Sequence, residues 1–280
     1  MTKKSLITTL RHTGAVVMAI LAIMALMACP GKSKHHYDEE EEEAVGIPID
    51  EEHFPDDAFR AFLLEQEFGE DAILSEEEQE ETNRLRIHNK DIHSLQGIEY
   101  FTHLTVLQAS GNPLGQLVMP RMEWLYTLDC QNCQLTKLDV SQCPNIGVLR
   151  CFLNQLTTLD LSGKPSLREL EARDNLLTEL TFKGTDSLNI IDVRNNRLIA
   201  LDLSTQRNLN EVGIAGNPMD EAQTDRFISL LPKGVYEETG FDEHIEAIPP
   251  HVFVEEHTLT PPQEQMLEEK GWSQWTSSNE

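Results

Sequence analysis

Residues 104–219 repeat one pattern of apolar and amide residues every 21 positions, and this repeat constrains the fold more than any other feature of the chain. Each copy reads L-x-x-L-x-(small apolar)-x-x-N-x-L. The small apolar position holds Ala109, Cys130, Cys151, Ala172, Val193 and Ile214. The amide position holds Asn112, Cys133, Asn154, Asn175, Asn196 and Asn217. Six copies in phase, with no insertion, predict one structural unit stacked on itself.

The spacing and the residue types are those of a leucine-rich repeat, in which one short unit cannot bury its apolar face alone and shares a core with its neighbours. We therefore predict an α/β solenoid, a leucine-rich-repeat horseshoe with parallel strands on its concave face. Alternation of leucines with the small column has the two-residue period of a strand. Each Asn is expected to bond buried backbone groups of the neighbouring turn. A second L-x-L element in each unit, such as Leu159 with Leu161, is expected to form the convex wall.

The first 28 residues have the features of a bacterial lipoprotein signal peptide. Three basic residues precede an apolar run over 14–28, which is too short for a comfortable membrane span. The run ends in L-M-A-C, which resembles a lipobox, so Cys29 is predicted to carry the lipid anchor. The alternative is an ordinary signal followed by a chance cysteine.

Residues 29–47 are predicted to be a disordered acidic tether between the lipid and the folded domain. Asp38 and the five glutamates after it form six consecutive carboxylates, which repel one another and stay solvated. The whole chain has a formal charge of −26. Such a charge repels phosphate backbones, so nucleic acid is not an expected partner.

Residues 48–84 are predicted to form a helical N-terminal cap, because apolar residues recur there at helical spacing and Ser75 with Glu78 makes a capping box. The segment between the two helices resembles a degraded EF-hand loop. Gly69 offers no side-chain ligand, and Ala72 stands where the sharp turn of such a loop needs Gly. We interpret the segment as a cap that keeps the shape of the loop without its ion. Calcium binding is the less favoured alternative.

Residues 85–219 are assigned to the repeats and residues 220–280 to an α+β C-terminal cap. We expect a helix ending at Pro232, a strand over 251–254, and a helix that begins after Thr260 and stops at Gly271. Terminal repeats need such covers because the last unit has no neighbour. The cap around Trp272 and Trp275 is expected to be exposed, and it is the next candidate for a partner site after the concave face.

Several motifs resemble the leucine-rich-repeat domains of internalin-J-like surface lipoproteins in Gram-negative gut and oral bacteria. They are the F-P-D start at Phe54, L-x-C strands at Cys130 and Cys151, L-D-(V/L)-S segments at Asp139, Asp160 and Asp202, and the K-G-W near the C-terminus. The resemblance covers most of the mature chain. It implies the same repeat fold and a surface-exposed binding scaffold, but it does not identify a partner, because one fold hosts many functions.

The cysteines Cys130, Cys133, Cys143 and Cys151 invite a zinc or redox interpretation. The repeat register argues against it. Cys130 and Cys151 fall in the inward column, Cys133 in the amide column, and Cys143 in a column expected to be exposed, so the four do not converge. We predict no metal and no other cofactor. The alternatives left open are thiols packed as small apolar groups and a disulfide between Cys130 and Cys151.

Enzyme activity is not expected. No Ser/His/Asp or Cys/His set falls at repeat positions that face one another, and an open curved surface lacks the cleft that paired carboxylates or a nucleophile would need. Asp139, Asp160 and Asp202 recur in one convex column, where such a residue usually stabilises a turn.

The middle of the concave face is the predicted partner site. Alternation along the strands turns one set of side chains outward there: Arg150, Phe152, Leu153, Arg173 and Arg194. Arginine and aromatic residues dominate binding hot spots, and in so acidic a chain they are expected to form a patch of opposite character. The alternative is that Arg173 and Arg194 pair with Glu171 and Asp192 on neighbouring strands.

These inferences predict a lipid-anchored, non-catalytic scaffold at the bacterial outer membrane or cell surface. Its expected ligand is a protein, with adhesion to host or neighbouring cells as the biological role, and the chain is expected to be a monomer. The alternative is a glycan- or nutrient-binding surface lipoprotein of an uptake system. Exposed aromatic platforms would favour that alternative, and on the concave strands only Phe152 is aromatic.

Overall fold

The computed structural model describes residues 46–234, 250–254 and 259–275. The predicted signal peptide, Cys29 and the tether as far as residue 45 lie outside this part of the chain. Residues 46 and 47, assigned to the tether, instead begin a strand of the N-terminal cap. No helix among the described residues is long and apolar enough to cross a membrane.

One parallel sheet of nine strands forms the concave side of the described chain. Its strands are, in spatial order, β3 (Arg84–Arg86), β4 (Val106–Gln108), β6 (Thr127–Asp129), β8 (Val148–Arg150), β10 (Glu169–Glu171), β12 (Ile190–Asp192), β13 (Glu211–Gly213), β14 (His251–Phe253) and β15 (Ser273–Trp275). Leu107, Leu128, Leu149 and Leu170 lie side by side in register and are fully buried. The fold is a leucine-rich-repeat solenoid, as predicted.

The convex side carries two small parallel sheets. Strand β5 (Gln116–Val118) pairs with β7 (Lys137–Asp139), and β9 (Thr158–Asp160) pairs with β11 (Glu179–Thr181). The leucines of the predicted convex element, such as Leu159 and Leu161, are buried against the core. The core is therefore a single layer of apolar side chains between the nine-stranded sheet and this wall.

The N-terminal cap combines helices with a pair of strands that periodicity did not predict. Helix α1 (Asp57–Leu64) is followed by a short 3-10 turn (Glu67–Gly69) and by helix α2 (Glu76–Glu81). Strand β1 (Gly46–Pro48) runs antiparallel to β2 (Ile73–Ser75), which leads directly into α2. The buried faces of Phe59, Phe62 and Leu63 join this cap to the core.

Asp56 fastens the cap to the first repeat. Its Oδ1 accepts a 2.8 Å hydrogen bond from the Phe59 N–H and thereby caps α1, while its Oδ2 accepts bonds of 2.8 and 3.0 Å from the N–H groups of His93 and Ser94. One carboxylate thus satisfies backbone donors of both the helix and the first turn of the solenoid.

The EF-hand-like segment keeps a loop backbone. Ala72 adopts the left-handed conformation, with φ of +59°, at the position where an EF-hand has Gly. Glu78, which would be the last ligand, uses Oε2 to accept a 3.0 Å bond from the Ser75 N–H in the capping box of α2. A group of three or more side chains placed to hold a metal is not found in the described residues.

The C-terminal cap contains helix α3 (Glu221–Leu230), strand β14, helix α4 (Pro261–Glu269) and strand β15. Gly271, with φ of +78°, ends α4 as predicted. The expectation that Trp272 is exposed was wrong: it is 2% exposed, and its Nε1 donates a 2.9 Å bond to the Pro232 carbonyl. Trp272 therefore ties the end of α4 to the end of α3 instead of offering a contact surface.

Candidate functional site

The buried asparagine column links each turn of the solenoid to the next. At Asn175, Nδ2 donates to the carbonyls of Cys151 (3.0 Å) and Ala172 (3.1 Å), and Oδ1 accepts from the Leu156 N–H (3.0 Å). The same cross-repeat bonds recur at Asn112, Asn154, Asn196 and Asn217. Each amide therefore satisfies both donors and acceptors that the turn geometry would leave buried and unpaired.

Cys133 is the exception in this column. Its thiol lies 3.3 Å from the carbonyls of Ala109 and Gln131. The preceding turn adapts, since the Leu114 N–H, which an Asn at position 133 would bond, instead donates a 2.8 Å bond to the Asn112 carbonyl. A thiol here preserves packing but not the full set of hydrogen bonds.

All four described cysteines are buried, and none of them forms a disulfide. The prediction that Cys143 shares an exposed column with Lys164 was wrong, because Cys143 is 0% and Lys164 only 3% exposed. The aliphatic part of the Lys164 side chain is buried, and its Nζ donates a 3.3 Å bond to the Ser141 carbonyl. Burial raises the pKa of the Cys151 thiol to about 12 and that of Cys143 to about 11, so both are protonated and poorly nucleophilic at neutral pH.

The predicted partner residues do lie together on the concave side, but their charges are already paired. Arg150 contacts Glu169 and donates from Nε to Glu171 at 2.8 Å. Arg173 contacts Asp192 at 3.5 Å, and Arg194 forms two bonds of 2.8 and 2.9 Å to the same carboxylate.

The prediction of a basic patch on this acidic chain is therefore wrong. The structure shows a mixed surface in which each of the three arginines contacts a carboxylate. The alternative of cross-strand pairing holds for Arg173 with Asp192, whereas Arg194 contacts Asp192 within its own repeat. The partner of Glu171 is Arg150, rather than either of the two arginines named in that alternative.

Two aromatic rings are part of the same surface. The Arg173 guanidinium lies 3.9 Å from the centre of the Phe152 ring, so Phe152 is half-buried and not the free platform that the sequence suggests. The Arg194 guanidinium lies 5.1 Å from the Phe253 ring. Gly213 separates their strands, and a Cβ there would come within 2.7 Å of Asp192 and 3.2 Å of Arg194. The missing side chain at Gly213 thus leaves the space through which Arg194 reaches Phe253.

Leu153 occupies an unusual position. It is 49% exposed and has φ of +56°. The equivalent residues of the other repeats share this left-handed conformation and are all types that tolerate it: Gly111, Asn132, Asp174, Asn195 and Gly216. A leucine is unfavourable here both in backbone conformation and in exposure.

An aromatic group at the far end of the sheet was predicted only in part, since the sequence pointed to Trp275 but not to His251 and Phe253 beside it. Phe253 and Trp275 lie on the paired strands β14 and β15, with ring centres 6.2 Å apart, and His251 packs 4.9 Å from Trp275. His251 Nε2 lies 3.7 Å from a Glu211 carboxylate oxygen. Only the pairing of β14 with β13 brings these rings to the concave side, and no repeat motif marks that pairing.

The comparisons with known proteins concern the fold. No family model and no curated protein matches the sequence. Similar solved structures include internalins. The functional domain of InlJ from Listeria monocytogenes, which includes a cysteine ladder, aligns with 82% of this chain at 21% identity and a TM-score of 0.32. This chain spans 62% of that domain.

Two further internalins of Listeria monocytogenes are similar at comparable levels. Internalin C2 aligns over 63% of this chain and 91% of its own, at 21% identity and a TM-score of 0.46. Internalin InlF aligns over 84% and 94%, at 17% identity and a TM-score of 0.29.

Proposed function

We propose that this chain is a non-catalytic protein-interaction scaffold whose concave face binds a protein partner. The observation that carries the proposal is Leu153, an exposed apolar side chain held in a backbone conformation that disfavours it. It follows Phe152 in the chain, and its N–H donates a 3.2 Å bond to the Arg173 carbonyl. Residues that are unfavourable for folding concentrate at functional sites, because selection for binding maintains them there.

The surrounding side chains are ordered before any partner arrives. Arg150, Arg173 and Arg194 are each between 30 and 34% exposed and are held by carboxylates, and Arg173 also stacks on Phe152. Binding therefore costs less rotamer entropy than it would at free arginines. The mixture of charges calls for a partner that presents both signs, with carboxylates that contact the partly exposed guanidinium groups and an apolar group that covers Leu153.

The proposal extends to the location of the protein. Basic residues, an apolar run and the L-M-A-C sequence at Cys29 support a lipid anchor at the bacterial outer membrane or cell surface, where a binding scaffold would serve adhesion to host or neighbouring cells. Cells labelled with a palmitate analogue test the anchor. The wild-type chain should be labelled and Cys29→Ala should not, and equal labelling of both would rule out acylation at Cys29.

Site-specific crosslinking tests the binding face. A photoreactive residue at position 153 should capture a protein from cell-surface extracts, whereas the same residue at Thr157, which is exposed on the convex side, should not. Crosslinks formed equally from both positions, or only from 157, would contradict the assignment of the concave face.

A further inference from the structure

Trp124 and Tyr126 form an exposed aromatic pair on the loop that leads into β6. They are 58% and 42% exposed, and they flank Leu125, which is fully buried. Because Leu125 fixes this loop to the core, both neighbouring side chains are held outward. The other large apolar side chains exposed among the described residues are aliphatic: Leu64, Val118, Leu153 and Ile199.

The fold does not require aromatic residues at these two positions. The residues of the other repeats aligned with Trp124 are His103, Asn145, Ser166, Ser187 and Asn208. Those aligned with Tyr126 are Thr105, Gly147, Arg168, Asn189 and Asn210. Polar or small side chains therefore suffice at these positions in all of the other repeats. The aromatic pair is a local departure at the surface, where it contributes little to the core.

Both rings are backed by neighbouring repeats and so have defined orientations. The His103 ring stacks on Trp124 with ring centres 5.9 Å apart and planes tilted by 21°. The Tyr126 ring lies across Gly147 of the next repeat, where an added Cβ would stand 2.1 Å from ring carbons. Each ring is thus supported on one side, which lowers the entropy lost when a ligand stacks on it.

Hydrogen-bonding groups border the rings. Arg121 and Glu123, just before Trp124, have side chains 76% and 52% exposed and are joined by a 2.9 Å bond from Arg121 Nε. Asn145, in the next repeat, donates a 2.8 Å bond from Nδ2 to the Glu123 carbonyl. A guanidinium, a carboxylate and an amide together can both donate to and accept from hydroxyl groups.

We propose that Trp124 and Tyr126 form a binding platform for neutral pyranose sugars. The face of an aromatic ring is electron-rich and attracts the C–H groups that line one face of a pyranose, while the bordering polar groups match its hydroxyls. A chain charge of −26 disfavours sulfated or carboxylated glycans. Two rings in a polar frame match one or two sugar units, whereas a protein interface needs about 800 Å² on each partner.

Titration of the purified chain with neutral oligosaccharides tests this platform, with gluco-, xylo-, galacto- and manno-configured series as probes and calorimetry as the readout. Trp124→Ala should weaken binding at least about tenfold, equivalent to ~1.4 kcal/mol. Tyr126→Ala should also weaken it, and Trp124→Phe should retain part of the affinity, because it keeps an aromatic face. Ile199→Ala is the matched control, since Ile199 is 56% exposed at a distant repeat, and it should bind as wild type does.

Three outcomes would overturn the proposal. The first is that the wild-type chain binds none of the four series at about 10 mM. The second is that Trp124→Ala binds as tightly as wild type. The third is that Trp124→Ala loses capture of a protein while no sugar binds, which would make the pair a protein contact. Phe152→Ala should leave sugar binding unchanged, so failure here is distinguishable from failure of the concave protein site.

Discussion

Two replacements of Leu153 separate the effect of its backbone conformation on stability from the effect of its side chain on binding. Leu153→Ala and Leu153→Asn both remove the exposed apolar group, but only Asn tolerates the left-handed backbone observed at this residue, with φ of +56°. A residue other than Gly, Asn or Asp costs about 1–2 kcal/mol in that conformation. The free energy of unfolding of Leu153→Asn should therefore be ~1 kcal/mol larger than that of Leu153→Ala.

The neighbouring repeats supply further support for an amide at this position. Asn195, two repeats away in the same column, donates a 2.8 Å bond from Nδ2 to Asp174 Oδ1. Position 153 also adjoins Asp174, but from the preceding repeat and not from the following one, so an Asn there would approach the carboxylate from its other side.

Urea denaturation followed by circular dichroism measures the difference between the two variants. If Leu153→Asn is no more stable than Leu153→Ala, the backbone is not strained at this residue, and binding is not needed to explain the leucine. If binding does maintain the leucine, both variants should also bind the partner more weakly than wild type, which would make Leu153→Asn a stabilised chain with impaired function.

Three further predictions concern the solenoid itself. Leu149→Ala should destabilise the chain by about 2–5 kcal/mol in the same denaturation assay, because Leu149 is fully buried between β6 and β10, and a change within error would mean that the register is wrong. Asn175→Ala should cost about 1–3 kcal/mol, mainly because it orphans the buried Leu156 N–H, whereas Asn145→Ala at an exposed site should cost far less. Hydrogen bonds from Ser141, Ser162 and Ser204 hold the pKa of Asp139, Asp160 and Asp202 below the usual value. The three carboxylates therefore stabilise the folded chain above the pKa that they have when it is unfolded, and this contribution is lost as pH falls. Asp→Ala at all three positions should flatten the acid limb of a curve of stability against pH.

The repeat region was predictable because one column of leucines and one column of asparagines recur at a constant interval. Only one strand register buries all of the leucines and also lets the asparagines bond the neighbouring turns. Leu149 and Asn175 lie where that register puts them. The same rule could not find β1 or β15, because their pairing partners are set by the path of the cap chain and not by a repeated spacing.

The candidate site was only partly predictable. Alternation along a strand turns Arg150 and Arg173 outward, but it does not say where a long side chain ends, and both end on carboxylates of the neighbouring strand. Lys164 shows the same limit on the convex side, since its aliphatic chain is buried although its charge suggests exposure. Leu153 was included in the predicted site, and its unfavourable backbone conformation could also have been predicted from the sequence, because its column otherwise contains only Gly, Asn and Asp.

The affinity of concave-face variants for a captured partner tests the central claim most directly. Phe152→Ala removes the ring beneath Arg173, and Arg173→Glu reverses a charge that contacts Asp192, so each should weaken binding at least about tenfold. Asp160→Ala on the convex side should bind as wild type does, and thermal melts should show all three folded. Wild-type affinity in both concave variants, with melts intact, would contradict the claim that this face binds the partner.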